Sequence, residues 1–143
     1  MQENITENYR RFAIPLKKYL NYCTYTVIPQ YIEYLMPNLS PCADQFHMLE
    51  SQVTNVQQPV GVDERQMGCF KACVMKRMEI LIGLDFHLEP IYKMIDVVHA
   101  DNPGDREFVK KLAAECVSDI KGLTDECDIG NAYTECYITK LFE

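Results

Sequence analysis

Apolar residues recur along this chain at steps of three and four, the spacing that gathers them on one face of an α-helix. In the first segment Ile5, Tyr9, Phe12, Leu16, Tyr19 and Cys23 follow that rhythm, while Pro15 and Pro29 interrupt it and divide it into two or three short helices. Pro37, Ser40 and Pro41 predict a turn around Cys42, followed by a short helix from about Ala43 to Val53. Residues 55–61, Asn-Val-Gln-Gln-Pro-Val-Gly, have no period and read as a loop.

The next helix organises the chain. Asp63, with Gln66 three residues on, forms a capping pair, and Met67, Phe70, Val74, Met78 and Leu81 make one apolar stripe that Gly83 is expected to end. Glu89-Pro90 opens another helix, with Ile91, Met94, Ile95 and Val98 on one face. After the turn Asp101-Asn102-Pro103-Gly104, Asp105 is expected to cap the clearest amphipathic stretch. Its stripe is Phe108, Val109, Leu112, Ala113, Cys116, Val117 and Ile120. A last helix spans about Asp125 to Tyr137, and the apolar tail Ile138, Leu141, Phe142 is expected to fold back onto the domain. No strand alternation competes. The expected fold is all-α, six to seven short helices forming one domain, divided into residues 1–41, 42–137 and 138–143.

Composition narrows the function classes. A net charge of −7 argues against nucleic acid as partner, and no apolar run is long enough to insert in a membrane. Seven dispersed cysteines indicate a disulfide framework, hence an oxidising, extracellular setting. The N-terminal residues lack the basic and apolar regions of a secretory leader, so a secreted protein would have had its leader removed. No CxxC pair is present and His47, His87 and His99 are scattered, so no metal site is expected. No Gly-x-Ser-x-Gly, His-Glu-x-x-His or phosphate-binding glycine loop occurs, so no catalytic residue or cofactor is assigned and the chain does not read as an enzyme.

Cys69 and Cys73 lie four apart on one helix, with Cβ atoms roughly 5–6 Å apart, whereas a disulfide needs about 3.5–4.5 Å. They must therefore bond to other segments. Cys127 and Cys136 are nine residues apart, a rotation of about 900° that leaves them on opposite faces, so they also reach different neighbours. Six cysteines otherwise allow 15 pairings.

Leaving Cys23 aside, the gaps between Cys42, Cys69, Cys73, Cys116, Cys127 and Cys136 resemble the six-cysteine signature of the insect odorant-binding and pheromone-binding protein family. The three-residue gap after Cys69 and the eight-residue gap after Cys127 are its most characteristic marks, and Cys127-Asp-Ile-Gly-Asn-Ala-Tyr-Thr-Glu-Cys136 is similar to the family's last helix. The resemblance implies the pairs Cys42 with Cys73, Cys69 with Cys127 and Cys116 with Cys136. It also implies a secreted carrier of a small apolar ligand, such as an odorant, pheromone, fatty acid or terpenoid, with a membrane chemoreceptor as a further partner. The expected ligand-binding set is Met67, Phe70, Val74, Met78, Phe86, Ile91, Met94, Ile95, Val98, Phe108, Leu112, Tyr133, Tyr137, Leu141 and Phe142. These residues either fill a core or line a cavity; it is the resemblance that argues for the cavity. The alternative is a secreted protein of the same fold, in venom, saliva or seminal fluid, that acts through its surface.

The chain departs from the family in its long N-terminal segment and in Cys23. A seventh cysteine either joins two chains in a homodimer or is buried on its own domain as a small hydrophobe. His87 and His99 are candidates for a pH-dependent step, with solvent exposure of both as the other reading.

Overall fold

In the computed structural model the described residues are 28–54 and 61–142; the expected N-terminal helices, Cys23 and most of the loop at 55–61 fall outside them. Six helices follow in order, with a short hairpin between the third and fourth. They are α1 Ile28–Gln45, α2 Glu50–Val53, α3 Glu64–Arg77, β1 Leu81–Ile82, β2 Asp85–Phe86, α4 Glu89–Val98, α5 Pro103–Asp119 and α6 Glu126–Phe142. The fold is all-α. The two strands are antiparallel, with Leu81 opposite Phe86 and Ile82 opposite Asp85.

The turn expected at Pro37–Pro41 does not form: α1 runs through both prolines. Each removes one backbone hydrogen bond. The two stand four residues apart on the exposed side, where the freed carbonyls face water, while Ile28, Tyr31, Leu39 and Cys42 bury the opposite face. The apolar stripe therefore outweighs the proline signal, and the division expected at residue 41 falls inside a helix.

α3 begins as read. The Asp63 carboxylate accepts from Gln66 N at 2.6 Å, but the Gln66 side chain donates outward to Phe46 O instead of back to the cap. It ends earlier than Gly83. Glu79 takes the left-handed position at φ 63°, Ile80 N donates to Met75 O at 2.9 Å and Glu79 N to Lys76 O at 3.1 Å. These two bonds make a Schellman stop without the usual glycine. Gly83, φ 64°, serves the hairpin turn instead. At α5 the cap is Asn102, whose side chain accepts from Asp105 N, with Pro103 in the first turn. This corrects the expectation for Asp105.

The most extensive helix pair is α3 with α6. Two glycines allow it: a Cβ on Gly68 would overlap the Cys127 carbonyl, and one on Gly130 would lie 2.5 Å from Gly68 O. The backbones meet closely enough for Cys69 and Cys127 to bond with Cα atoms 4.2 Å apart. Cys42–Cys73 joins α1 to α3 and Cys116–Cys136 joins α5 to α6, the same three pairs that the family resemblance implies. Closing the loop between Cys42 and Cys73 alone is worth roughly 3–4 kcal/mol in the chain-entropy account.

Two groups of buried residues result. One gathers α4, α5, α6 and the start of α1 around Ile95, Val109 and Ala113. The other gathers the end of α1 and α3 around Cys42, Phe70 and Val74. Leu35 and Met78 pack against both.

Candidate ligand-binding site

Between those two groups lies a cavity of about 260 Å³. α1 supplies Ile28, Tyr31, Ile32, Leu35 and Leu39 and α2 supplies Val53. α3 adds Met67, Phe70, Lys71, Val74 and Met75, followed by Met78 and Ile80. Ile91 and Met94 come from α4, and Tyr133, Thr134, Tyr137, Ile138, Leu141 and Phe142 from α6. A larger groove of about 570 Å³ on the outside of the molecule is lined by Tyr34, Asn38, Glu79, His87, Glu89 and Lys93 among others. Its charged lining suits it poorly to an apolar guest, which gains most where apolar surface is covered.

Of the residues expected to bind ligand, the structure brings Met67, Phe70, Val74, Met78, Ile91, Met94, Tyr133, Tyr137, Leu141 and Phe142 to the cavity wall. It leaves out the other five. Ile95, Val98 and Leu112 are buried in the packed core behind the wall. Phe86 packs at a tilt against the Tyr133 ring, centroids 4.4 Å apart, and does not line the cavity. Phe108 is 55% exposed: α5 turns Val109, Leu112, Ala113 and Cys116 inward, and Phe108 lies one step of about 100° off that face. No residue of α5 reaches the cavity.

The tail does not fold back. α6 continues to Phe142, and Leu141 and Phe142 reach the wall from its last turn, 2% and 4% exposed. The expected ligand-binding set omits the α1 face, although the spacing Ile28, Tyr31, Ile32, Leu35, Leu39 carries that signal.

Five polar side chains interrupt the apolar wall. The Tyr133 hydroxyl donates to Ala113 O at 2.8 Å and Thr134 Oγ1 to Gly130 O at 2.8 Å. Lys71 Nζ donates to Asn131 Oδ1 at 3.2 Å. Burial lowers the Lys71 pKa, while Glu135 and Glu64 oppose that shift by holding its charge. Tyr31 and Tyr137 share a hydrogen bond of 2.7 Å, and Tyr31 also meets His99 Nε2 at 2.6 Å. Burial raises the pKa of all three tyrosines, so each is a neutral phenol. His99, expected as either a pH-active or an exposed residue, is 4% exposed. Its pKa is lowered by burial, with Asp105 in opposition. His87 lies instead on the outer groove.

No helix of the described residues is long and apolar enough to cross a membrane. Comparison with curated proteins gives no match. A model of the PBP/GOBP family, however, matches residues 25–140, a span that holds α1 to α5, nearly all of α6, the three cystines and every element that walls the cavity. On that match, and on an all-α shell tied by three disulfides, the chain belongs to the PBP/GOBP family.

Proposed function

We propose that this chain is a secreted carrier that takes a small apolar molecule into the cavity between α1, α3, α4 and α6. Its family is one of binding proteins rather than enzymes. The observation that carries the reading is the chamber itself: a void of about 260 Å³ walled by methionine, aromatic and branched aliphatic side chains. An apolar lining of that extent is costly against water unless something covers it. Three cystines brace the helices around it, which supports an extracellular working place. Met67, Met75, Met78 and Met94 lend the wall a soft, adaptable surface. Delivery to a membrane chemoreceptor, and pairing of two chains through Cys23, are further parts of this reading.

The test is displacement of a fluorescent apolar probe from the purified protein, with solvent extraction of the denatured protein and mass spectrometry for a co-purified lipid. Micromolar binding, about −8 kcal/mol, supports the carrier. Absence of both probe binding and extractable ligand refutes it and favours action through the surface.

A further inference from the structure

The cavity is apolar but has one polar handle. Among its polar side chains, Tyr133 and Thr134 have given their protons to backbone carbonyls, and Lys71 is drawn to Asn131 with Glu64 and Glu135 nearby. Tyr31 has a single proton and two close neighbours, Tyr137 Oη at 2.7 Å and His99 Nε2 at 2.6 Å, so it donates to one and accepts from the other. Tyr137 has Tyr31 as its one hydrogen-bond partner among the described residues. It lines the cavity and is 9% exposed. A phenol can donate once and also accept, so half of its capacity is unused by the protein's own groups.

We propose that the Tyr137 hydroxyl anchors the ligand through one neutral oxygen function, a ketone, aldehyde, ester or alcohol, and that the Tyr137–Tyr31–His99 chain reverses direction to match it. A carbonyl ligand can only accept. Tyr137 then donates to the ligand, Tyr31 donates to Tyr137, and His99 Nε2 carries the proton that is donated to Tyr31. An alcohol that donates to Tyr137 is matched by the reverse order: Tyr137 donates to Tyr31, Tyr31 donates to Nε2, and the imidazole proton sits on Nδ1. The two arrangements use the same atoms and the same distances and differ only in the tautomer of a neutral, buried histidine. The wall thereby presents either a donor or an acceptor without moving a side chain.

This inference rests on the carrier reading, and the experiment separates the two. N-phenyl-1-naphthylamine is bound to the full-length protein and displaced by 2-decanone, 1-decanol, 1-chlorodecane and decanoate, ligands alike in chain length and different in head group. The ketone and the alcohol are expected to bind about tenfold more tightly than the chloride. Tyr137→Phe, which removes one oxygen, should abolish that advantage, so that the ketone and the alcohol compete no better than the chloride. With 2-decanone bound, the ¹⁵N shift of His99 Nε2 should be that of a protonated ring nitrogen. If the probe fails to bind and solvent extraction yields no ligand, the carrier reading falls and this one with it; an extracted ligand that has no neutral oxygen function refutes the anchor alone. If the probe binds but ketone, alcohol and chloride compete equally, the carrier stands and the anchor is refuted. Tighter binding of decanoate than of decanol would assign head-group preference to Lys71 and refute the anchor as well, as would an unprotonated Nε2 in the ketone complex.

Discussion

Replacing Gly130 by alanine reads out how closely α3 and α6 must approach. In an ordinary helix this change stabilises by roughly 0.5–1 kcal/mol, because alanine loses less backbone freedom on folding. Here the new Cβ would stand 2.5 Å from Gly68 O and 3.0 Å from Ala72 N, both backbone atoms, whereas ordinary contact begins at 3.4 Å. The helices must separate by the difference between 3.4 and 2.5 Å, or about 0.9 Å, at a point next to the Cys69–Cys127 bond. Overpacking of that kind costs typically 1–3 kcal/mol, which exceeds the propensity gain. We expect a net loss of about 0.5–2 kcal/mol, or roughly 2–8 °C in Tm for a domain of this size. Denaturant and thermal melts of the oxidised protein would measure it. Gly104→Ala is the control. It is the same chemical change in a helix, but its Cβ would lie 3.5 Å from Asn102 Oδ1, an ordinary contact, so its stability should be unchanged or slightly raised. If Gly130→Ala stabilises as much as Gly104→Ala, the close approach does not govern the α3–α6 contact.

Four other outcomes can be checked. Burial lowers the folded-state pKa of His99, so below the ordinary value of about 6.5 the unfolded chain binds the proton first. Its stabilising share is complete above that value and is lost as pH falls towards the lowered folded pKa. Melts between pH 7 and 5 should show that loss, by up to about 1.4 kcal/mol per pH unit, and a slope unaltered in His99→Gln would contradict it. Glu79→Gly relieves a non-glycine left-handed residue and should raise stability by about 0.5–1 kcal/mol in chemical denaturation. Removing Leu141, Phe142 and Glu143 strips one end of the cavity wall and should weaken probe binding about tenfold, some 1.4 kcal/mol; unchanged affinity would argue against a guest in this chamber. Peptide mapping without reduction should recover the Cys69 fragment joined to the Cys127 fragment, and a Cys69–Cys73 link would overturn the pairing described for α3 and α6.

The helices from α3 onward were legible because each signal there is local: Asp63 before Gln66, Pro90 at a first turn, an unbroken stripe from Val109 to Ile120. Where the sequence misled, a tertiary term had outweighed a local one. Pro37 and Pro41 read as breakers, yet both fall on the solvent side of α1, where a missing hydrogen bond costs little. Glu79 could not be seen as a helix stop, since the left-handed role is usually taken by glycine and here follows from burying Ile80. Periodicity identified which residues of α6 and α3 face inward, but not whether the inner side is filled or hollow. Ile95 and Ile91 share one stripe on α4, and only the packing of neighbouring helices places one in solid core and the other on the cavity. The Tyr31–His99 contact spans 68 positions in the chain, and no local pattern foreshadows it.

The cystines tie α1 to α3, α3 to α6 and α6 to α5, leaving α4 without a covalent bond to any of them. Yet α4 supplies Ile91 and Met94 to the chamber. What holds it there, besides packing, is polar and reversible: the Lys110–Asp96 ion pair to α5 at 2.7 Å and the hydrogen bond between Tyr31 and His99, which lies just past its end. Three walls are thus fixed to one another and the fourth is clasped. On the proposed carrier reading, opening the chamber then needs only the unclasping of one ten-residue helix rather than global unfolding. Such a shell resists global unfolding and still has one side that can open.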